Sequence, residues 1–275
     1  MTERELRIKM IALITYMTGE RQGTDAEQAF SMDELGEMPI PALWTVFRAL
    51  VNTREPKEGH PKFYETQDEV LRHFIYQDNI STADDAQAVP GNSKMRLWRG
   101  DITRLAVDAI VNAANSQMQG CWVPGHNCID NAIHTFAGVQ LREECARIIA
   151  DQGHEEPTGR AKVTAAYNLP CEHVIHTVGP VANGKPTDAH RRELASCYAS
   201  CLEAARSCGA KSIAFCSIST GVFGFPQEEA APIAVSAVSE WLELHSTTDL
   251  TVVFNVFSED DERVYRDVLG ISSSD

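Results

Sequence analysis

The chain has 275 residues, 43% of them hydrophobic and 23% charged, which is the balance of a soluble globular protein with one or two domains. Its 24 basic and 39 acidic side chains give a formal net charge of −15. Because nucleic acids and anionic membranes attract basic surfaces, we expect neither class of partner.

The cysteine content and the apolar pattern indicate a cellular location. The apolar run over residues 10–17 is far shorter than the roughly 20 residues that cross a bilayer, and no cleavage site of a secretory signal accompanies it. Without an export signal, the eight cysteines are expected to be reduced thiols or metal ligands. We therefore expect a cytoplasmic protein.

The first third of the chain predicts helices. Apolar side chains recur at helical spacing over three stretches, 6–17, 43–51 and 66–76. The polar segment 81–93 contains a Pro-Gly pair, which predicts a linker or an exposed loop. We expect an N-terminal helical extension over residues 1–90 and a second domain over residues 91–275.

After Met95, short apolar runs alternate with longer amphipathic stretches. The candidate strands are 95–99, 109–114, 162–168, 173–178, 212–217 and 250–257. The candidate helices are 129–149 with a break at Gly138, 188–207, 228–245 and 260–269. Several strands are apolar almost throughout, which is typical of strands covered on both faces. This alternation predicts a three-layer α/β/α fold.

Two polar motifs follow predicted strands. Asp101, in GDIT, can accept a hydrogen bond from an amino group such as that of adenine, or it can cap a turn or helix. Asn112 and Asn115, in VNAAN, can bind a polar ligand or satisfy loop backbone. The residues alone leave both alternatives open for each motif.

The sharpest motif is CWVPGHNC, which contains Cys121, His126 and Cys128. Two thiolates and an imidazole within a short loop suit zinc. A structural zinc site normally has four protein ligands, so three leave a position for water or substrate. The alternatives are a remote fourth ligand, and buried structural cysteines beside an unrelated histidine. Asp130 follows where a helix begins, so it either caps that helix or lies beside the metal.

The last motif is the loop SISTGVFGFP, residues 217–226, between a predicted strand and a predicted helix. Backbone N–H groups at the start of a helix favour phosphate. The loop is neither a Walker A loop nor a dinucleotide-binding fingerprint, and most such loops are only tight turns. Its place at the carboxyl end of a strand favours ligand binding.

Together the motifs GDIT, VNAAN, IDNAIHTFAG and SISTGVFGFP resemble those of a macrodomain, the ADP-ribose-binding α/β module, in the family's order over about 95–270. CWVPGHNC stands where common hydrolase macrodomains carry a glycine-rich run, so the chain is similar to the zinc-containing branch, which has a helical N-terminal extension. The resemblance implies a central mixed sheet between helix layers. It also implies removal of ADP-ribose from proteins, and an association with class M sirtuins and modified lipoyl-carrier proteins.

The resemblance implies a role for each part of the site. Asp101 would bind the adenine amine, the loop 219–223 would hold the diphosphate through backbone N–H groups, and Cys121, His126 and Cys128 would hold one zinc ion next to the distal ribose. The implied catalytic residues are Asn115 and Asp130. The implied substrate contacts are Asp101, Ile102, Asn115, Cys121, Ile129, Asp130, Ser219, Thr220, Gly221, Val222, Phe223 and Phe225.

Two mechanisms are open for such a site. Zinc could lower the pKa of a bound water that attacks the anomeric carbon, or it could position the sugar or the departing carboxylate while Asn115 and Asp130 order the water. Two thiolates cancel the charge of the ion, which favours positioning. We expect a zinc-dependent hydrolase that removes mono-ADP-ribose from proteins at Asp/Glu ester linkages. The alternatives are a non-catalytic ADP-ribose reader with a structural zinc, and an interaction module.

Overall fold

The structure is a computed structural model that describes residues 1–21 and 30–272. The N-terminal region contains the helices α1 (Glu3–Gly19), α2 (Met32–Glu37), α3 (Ile40–Asn52) and α4 (Pro61–Tyr76). The predicted N-terminal helices correspond to α1, α3 and α4. The sequence does not predict α2, because this helix is short and buries only Leu35, too little for a periodic apolar pattern.

Seven strands of the described residues form one mixed sheet, in the order β2-β3-β9-β8-β5-β7-β6. The outer strands β2 and β6 are antiparallel to their neighbours, and the five between them are parallel. These strands are β2 (Gln87–Val89), β3 (Asn92–Arg99), β5 (Ala109–Ala114), β6 (Ala161–Ala165), β7 (His173–Val178), β8 (Ser212–Phe215) and β9 (Thr251–Val256). A separate parallel pair joins β1 (Ser81–Thr82) to β4 (Leu105–Ala106).

The prediction of a linker or an exposed loop over residues 81–93 is wrong. That segment holds β1 and β2 and the first residues of β3. The edge strand β2 buries only Val89, so it lacks the apolar run that identifies a central strand. Residues before position 90 therefore pair with the large sheet, and the division of the chain at that position stays a prediction.

Helices cover both faces of the sheet, as the three-layer prediction requires. They are α5 (Ile129–Ala137), α6 (Val139–Gln152), α7 (Asp188–Ser207), α8 (Gln227–Leu244) and α9 (Glu259–Leu269). The chain passes from β5 through α5, α6 and the edge strand β6 to β7, and returns across β5 to β8 through α7. Right-handed connections in opposite directions place these helices on opposite faces. The predicted break at Gly138 is confirmed, with φ at +103° between α5 and α6.

The described residues form two hydrophobic clusters. One lies between the sheet and its helices, and the other lies among the N-terminal helices and includes Val139 at the start of α6. Trp44 on α3 also packs on Phe136 of α5, with ring centroids 5.6 Å apart. The N-terminal helices thus pack against α5 and α6. None of the described helices is long and apolar enough to cross a membrane.

Candidate active site

The central strands are parallel, so the segments that follow them meet at one edge of the sheet. Asp101 follows β3, Asn115 follows β5 and the loop 219–223 follows β8. The connections from β5 and from β8 leave toward opposite sides, and ligands of open α/β sheets bind in the crevice at such a reversal. Three of the predicted motifs therefore converge on this crevice.

Asp101 caps a short helical turn. Its Oδ1 accepts hydrogen bonds from the backbone N–H of Thr103 at 3.0 Å and from the Thr103 hydroxyl at 2.7 Å. No described residue donates a hydrogen bond to Oδ2, and Asp101 is half-buried. The capping alternative is therefore realised, and one carboxylate oxygen is left as an acceptor for a ligand. Ile102, next in the chain, is buried.

An exposed aromatic side chain that the sequence motifs do not include follows β9, the strand that pairs with β3. Phe257 follows β9 and is 78% exposed, although phenylalanine is usually buried. The preceding residue, Val256, accepts a hydrogen bond from the backbone N–H of Gly100 at 3.0 Å. The signal that could have found Phe257 is an aromatic residue directly after an apolar strand of the predicted parallel sheet.

The loop 219–223 presents backbone N–H groups to solvent. Its shape comes from two backbone hydrogen bonds of 2.9 Å, from Gly224 to Gly221 and from Phe225 to Ser219. The N–H groups of Gly221, Val222 and Phe223 donate to no acceptor among the described residues. A Cβ atom on Gly221 would meet no atom within 4 Å, so open space lies in front of this backbone. Successive free N–H groups of this kind bind anions.

Ser219 adopts a backbone conformation that is rare for residues other than glycine. Its φ is +67°, and its buried hydroxyl has no hydrogen-bond partner in the described chain. Gly179, which follows β7, makes room for it, because a Cβ atom there would lie 2.0 Å from the Ser219 hydroxyl oxygen. The sequence analysis missed Gly179. Strained backbone that neighbouring residues enforce is common at binding sites.

The two aromatic residues of this loop differ in exposure. Phe225, one of the implied substrate contacts, is 1% exposed and belongs to the hydrophobic core. Phe223 is half-buried and keeps part of its ring accessible. The predicted role of Phe225 stays a prediction, and Phe223 offers more surface to a ligand.

Asn115 satisfies loop backbone, which is one of its two predicted alternatives. Its Nδ2 donates to the carbonyl of Gly120 at 3.0 Å, and its Oδ1 accepts from the N–H of Gln117 at 3.1 Å. A side-chain amide has two N–H groups and two lone pairs, so one donor and one acceptor position remain for a ligand. Both contacts lie within residues 115–120, before the first zinc-ligand candidate.

Cys121, His126 and Cys128 come together as predicted. Their ligand atoms lie within 4.8 Å of one another, and no fourth His, Cys, Asp or Glu of residues 1–21 and 30–272 joins them. Cys121 Sγ is 3.6 Å from His126 Nδ1. A tetrahedral zinc with bonds of about 2.3 Å to sulfur and about 2.0 Å to nitrogen places such atoms about 3.6 Å apart. The donor set therefore fits zinc with an open fourth position.

Cys128 is a weak acid in the absence of a cation. Burial and the neighbouring Cys121 raise the pKa of Cys128 to about 12. The residue also caps α5, where its Sγ accepts from the N–H of Asn131 at 3.5 Å. The start of a helix favours negative charge, and a bound cation would favour the thiolate further.

Asp130, two residues after Cys128 in the chain, is buried. Its Oδ1 accepts a hydrogen bond of 2.8 Å from Asn112 Nδ2, and burial raises the pKa of Asp130 to about 6. Asn112 Nδ2 also lies 3.1 Å from His176 Nδ1, and His176 Nε2 lies 3.0 Å from the Thr164 hydroxyl. Asn112 thus supports Asp130 from inside the protein. The motif VNAAN predicts a polar role for Asn112 but not its contact with Asp130.

A second group of potential metal ligands lies behind Asp130. The ligand atoms of His134, Cys145 and His176 are also within 4.8 Å of one another, and all three residues are buried. His176 uses both ring nitrogens in the contacts above, and burial raises the pKa of the Cys145 thiol well above its usual range. A neutral thiol and an occupied imidazole favour an internal support for Asp130 over a metal site.

Comparisons with known proteins agree with this geometry. The family model of the Macro domain matches residues 111–234. The protein-ADP-ribose hydrolase of Treponema medium is 49% identical over 271 residues, 98% of this chain and 100% of that protein. The one of Staphylococcus aureus is 45% identical over 228 residues, 82% of this chain and 85% of that protein.

A solved structure gives the same result for the fold. The Trypanosoma brucei macrodomain in complex with ADP-ribose is 31% identical and superimposes with a TM-score of 0.62, over 81% of this chain and 95% of that chain. The predicted α/β/α macrodomain fold is therefore confirmed. From its sequence and its fold, the chain belongs to the macrodomain family of protein-ADP-ribose hydrolases.

Proposed function

We propose that this chain is a zinc-dependent hydrolase that removes mono-ADP-ribose from modified proteins at Asp/Glu ester linkages. One observation carries the proposal. The three-ligand cluster of Cys121, His126 and Cys128 stands directly before Asp130, at the same sheet edge as the free N–H groups of the loop 219–223. A purely structural zinc would normally take a fourth protein ligand.

The nucleotide part of the substrate is proposed to lie between the segments after β3, β8 and β9. Oδ2 of Asp101 accepts a hydrogen bond from the adenine amine, with Ile102 beside it, and the exposed ring of Phe257 stacks on the base. The N–H groups of residues 219–223 bind the diphosphate. Because these donors are backbone groups, a chain with a net charge of −15 needs no basic side chain there.

The distal ribose is proposed to lie between Asn115, the half-buried ring of Phe223 and the metal loop. Bound zinc would supply an open coordination position that orients this sugar or the departing carboxylate. Asn115 and Asp130 order the attacking water. The water oxygen bonds to the anomeric carbon, the bond to the acceptor carboxylate breaks, that carboxylate leaves with the electron pair, and Asp130 takes up the proton.

The finer identity of the reaction rests on the sequence resemblance. We propose on that basis that the chain belongs to the class M sirtuin-associated type, acts in the cytoplasm and accepts modified lipoyl-carrier proteins. The relatives that support hydrolysis are protein-ADP-ribose hydrolases of Treponema medium and Staphylococcus aureus.

Cys121→Ala, His126→Ala and Cys128→Ala test the proposal. Each variant should lose zinc and nearly all release of ADP-ribose from a modified protein. Affinity for free ADP-ribose should stay within about tenfold of the parent, roughly 1.4 kcal/mol, because most contacts lie outside the metal loop. Asn115→Ala should keep its zinc and lose turnover.

The measurements are metal content by elemental analysis, ADP-ribose affinity by calorimetry, and release of a labelled ADP-ribose. A parent protein that binds ADP-ribose and zinc but releases nothing would make the chain a reader. Zinc-free, folded variants that hydrolyse at the parental rate would limit the metal to a structural role.

A further inference from the structure

The metal loop, residues 121–128, contains no strand and no helix, so its backbone polar groups need partners elsewhere. One partner belongs to the N-terminal region. Asn52, the last residue of α3, accepts a hydrogen bond of 2.9 Å from the N–H of Gly125 at its Oδ1. Its Nδ2 donates to the hydroxyl of Thr135 on α5 at 3.0 Å, and Asn52 is fully buried. Asn52 thus fixes the middle of the metal loop against α5.

Arg48, one turn earlier on α3, holds both sides of the same loop. Its Nη2 donates to the carbonyl of His126 at 3.0 Å, and Nη2 and Nε reach Asn131 Oδ1 at 2.8 and 3.1 Å. Asn131 Nδ2 in turn donates to the carbonyl of Val123 at 3.0 Å. Arg48 therefore restrains the carbonyl of one ligand directly and the first half of the loop through Asn131.

A third connection joins the end of α3 to the start of the metal loop. Arg142 on α6 donates to the carbonyls of Val51 and Arg54 at 3.0 and 2.9 Å, and to that of Gln119 at 2.5 Å. Its guanidinium also lies over the Trp122 ring, 4.2 Å from the ring centre. All three connections tie the metal loop to α3 or to the residues that follow it.

We infer that α3 sets the conformation of the metal loop, and that Arg48 and Asn52 are positioning residues for Cys121, His126 and Cys128. The inference rests on the proposed function in so far as these three residues bind zinc. Ligands brought together by an irregular loop lose affinity when the loop adopts other conformations, because binding must then restore the one geometry that fits. Partners that orient metal ligands typically contribute about 10- to 100-fold in metal affinity or activity.

The competing explanation is that Arg48 and Asn52 merely attach the N-terminal helices to the rest of the chain. Asp68 on α4 supplies a matched control. Its Oδ1 accepts hydrogen bonds from Asn168 Nδ2 at 2.7 Å and from Gln140 Nε2 at 3.3 Å. Asp68 therefore joins the same two parts of the protein without contacting the metal loop.

The test compares Arg48→Ala, Asn52→Ala and Asp68→Ala in the full chain. Zinc affinity is measured by competition with a chromogenic chelator, and thermal unfolding is measured on the metal-free proteins. We expect zinc affinity to fall at least about tenfold for Arg48→Ala and Asn52→Ala and to stay within about twofold for Asp68→Ala. Arg48→Lys should recover part of the loss, because lysine keeps a charged donor group but not the planar guanidinium with its several N–H groups. Arg48 is half-buried, so its variant keeps the test decisive if Asn52→Ala fails to fold.

Parental zinc affinity in both α3 variants would overturn the inference, and so would an equal loss in Asp68→Ala. A parent chain that binds no zinc would instead refute the metal in the proposed function. In that case, the alkylation rates of the Cys121 and Cys128 thiols in metal-free protein decide the matter. Faster alkylation in Arg48→Ala than in Asp68→Ala supports the inference, and equal rates overturn it.

Discussion

Asp101 uses its two carboxylate oxygens for different purposes. Oδ1 caps the turn through Thr103, so a simple truncation would remove the cap as well as the proposed contact with adenine. An asparagine can cap equally well through its oxygen and then turns its NH₂ group toward the ligand. This substitution separates the structural from the recognition role of one side chain.

Asp101→Asn is therefore expected to weaken ADP-ribose binding while the fold stays intact. The adenine amine would meet a donor instead of an acceptor, and a lost charge-assisted hydrogen bond costs about 1.5–3 kcal/mol. Calorimetric titration with ADP-ribose measures the loss, and thermal unfolding without ligand checks the cap. Unchanged affinity in a protein of parental stability would remove Asp101 from the binding site.

We expect that glycine at position 221 is needed for ligand binding and not for folding. Its Cβ position is open, and its φ does not require glycine. In Gly221→Val, the branched side chain would stand where the diphosphate approaches the backbone N–H groups, so ADP-ribose binding should be abolished with little change in thermal stability. Gly36→Val, on α2, is the control and should bind normally, because its Cβ position is equally open and lies outside the site. A large loss of stability in Gly221→Val would show that the glycine serves the fold.

The conformation of the loop after β8 depends on the residue that follows β7. A Cβ atom added at Gly179, directly after β7, would lie 2.0 Å from the Ser219 hydroxyl oxygen. Ser219 holds a positive φ there, and its buried hydroxyl lacks a partner. The conformation of the anion-binding loop thus requires a glycine in another segment of the chain.

Gly179→Ala should destabilise the protein by about 1–3 kcal/mol, the usual cost of overpacking, and should weaken ADP-ribose binding. Adding Ser219→Gly should restore part of both, since glycine removes the clashing hydroxyl and tolerates positive φ. Denaturant unfolding and calorimetry of the two single variants and the double variant give the coupling. Additive losses in the double variant would mean that the two residues act independently.

The sequence predicts elements well where their signal is local. Strands β5 and β7 and helix α7 have their predicted bounds. The strand β5 is apolar at every position except Asn112, β7 is rich in β-branched residues, and Thr187 begins α7 with a capping box. The edge strand β2 is missed because one side of it faces solvent and its residues are mostly exposed. A periodic pattern of apolar residues arises where one face of an element is buried. An element that buries few side chains therefore has no such pattern in its sequence.

In the whole molecule, a site residue can be predicted from the sequence when the residues that it acts with are close to it in the chain. The ligand cluster of Cys121, His126 and Cys128 lies within eight residues, so its chemistry is readable from the chain. Arg48 and Asn52 contact that cluster across more than seventy positions, and nothing in their local pattern indicates this role. Contacts between distant segments depend on the packing of the N-terminal helices, which a single sequence does not contain.

Protonation of buried histidine is expected to make the whole fold sensitive to acid. Burial lowers the pKa of His176 to about 3, against about 6.5 in an unfolded chain. The unfolded state therefore binds more protons between those values, so the free energy of unfolding falls as the pH falls through this window. The contribution of His176 should decrease by about 2 kcal/mol between pH 7 and pH 5. Asp130 acts in the opposite sense, because its raised pKa favours the folded state as the pH falls through about 6.

Denaturant unfolding of the parent and of His176→Gln at pH 7, 6 and 5 isolates this effect. The parent should lose about 2 kcal/mol more than the variant over that range. His154→Gln, at an exposed position, should follow the parent. Equal pH dependence in the parent and in His176→Gln would contradict the assignment of a buried neutral imidazole.

We propose that zinc is needed for the release of ADP-ribose and not for its binding. The zinc ion would be held by the metal loop, next to Asp130. The most direct test is the rate of ADP-ribose release from a mono-ADP-ribosylated protein by the parent chain before chelation, after chelation and after addition of zinc. We predict that chelation abolishes release, that added zinc restores it, and that ADP-ribose affinity changes by no more than about tenfold. Release at the undiminished rate by protein whose zinc has been removed would contradict the account.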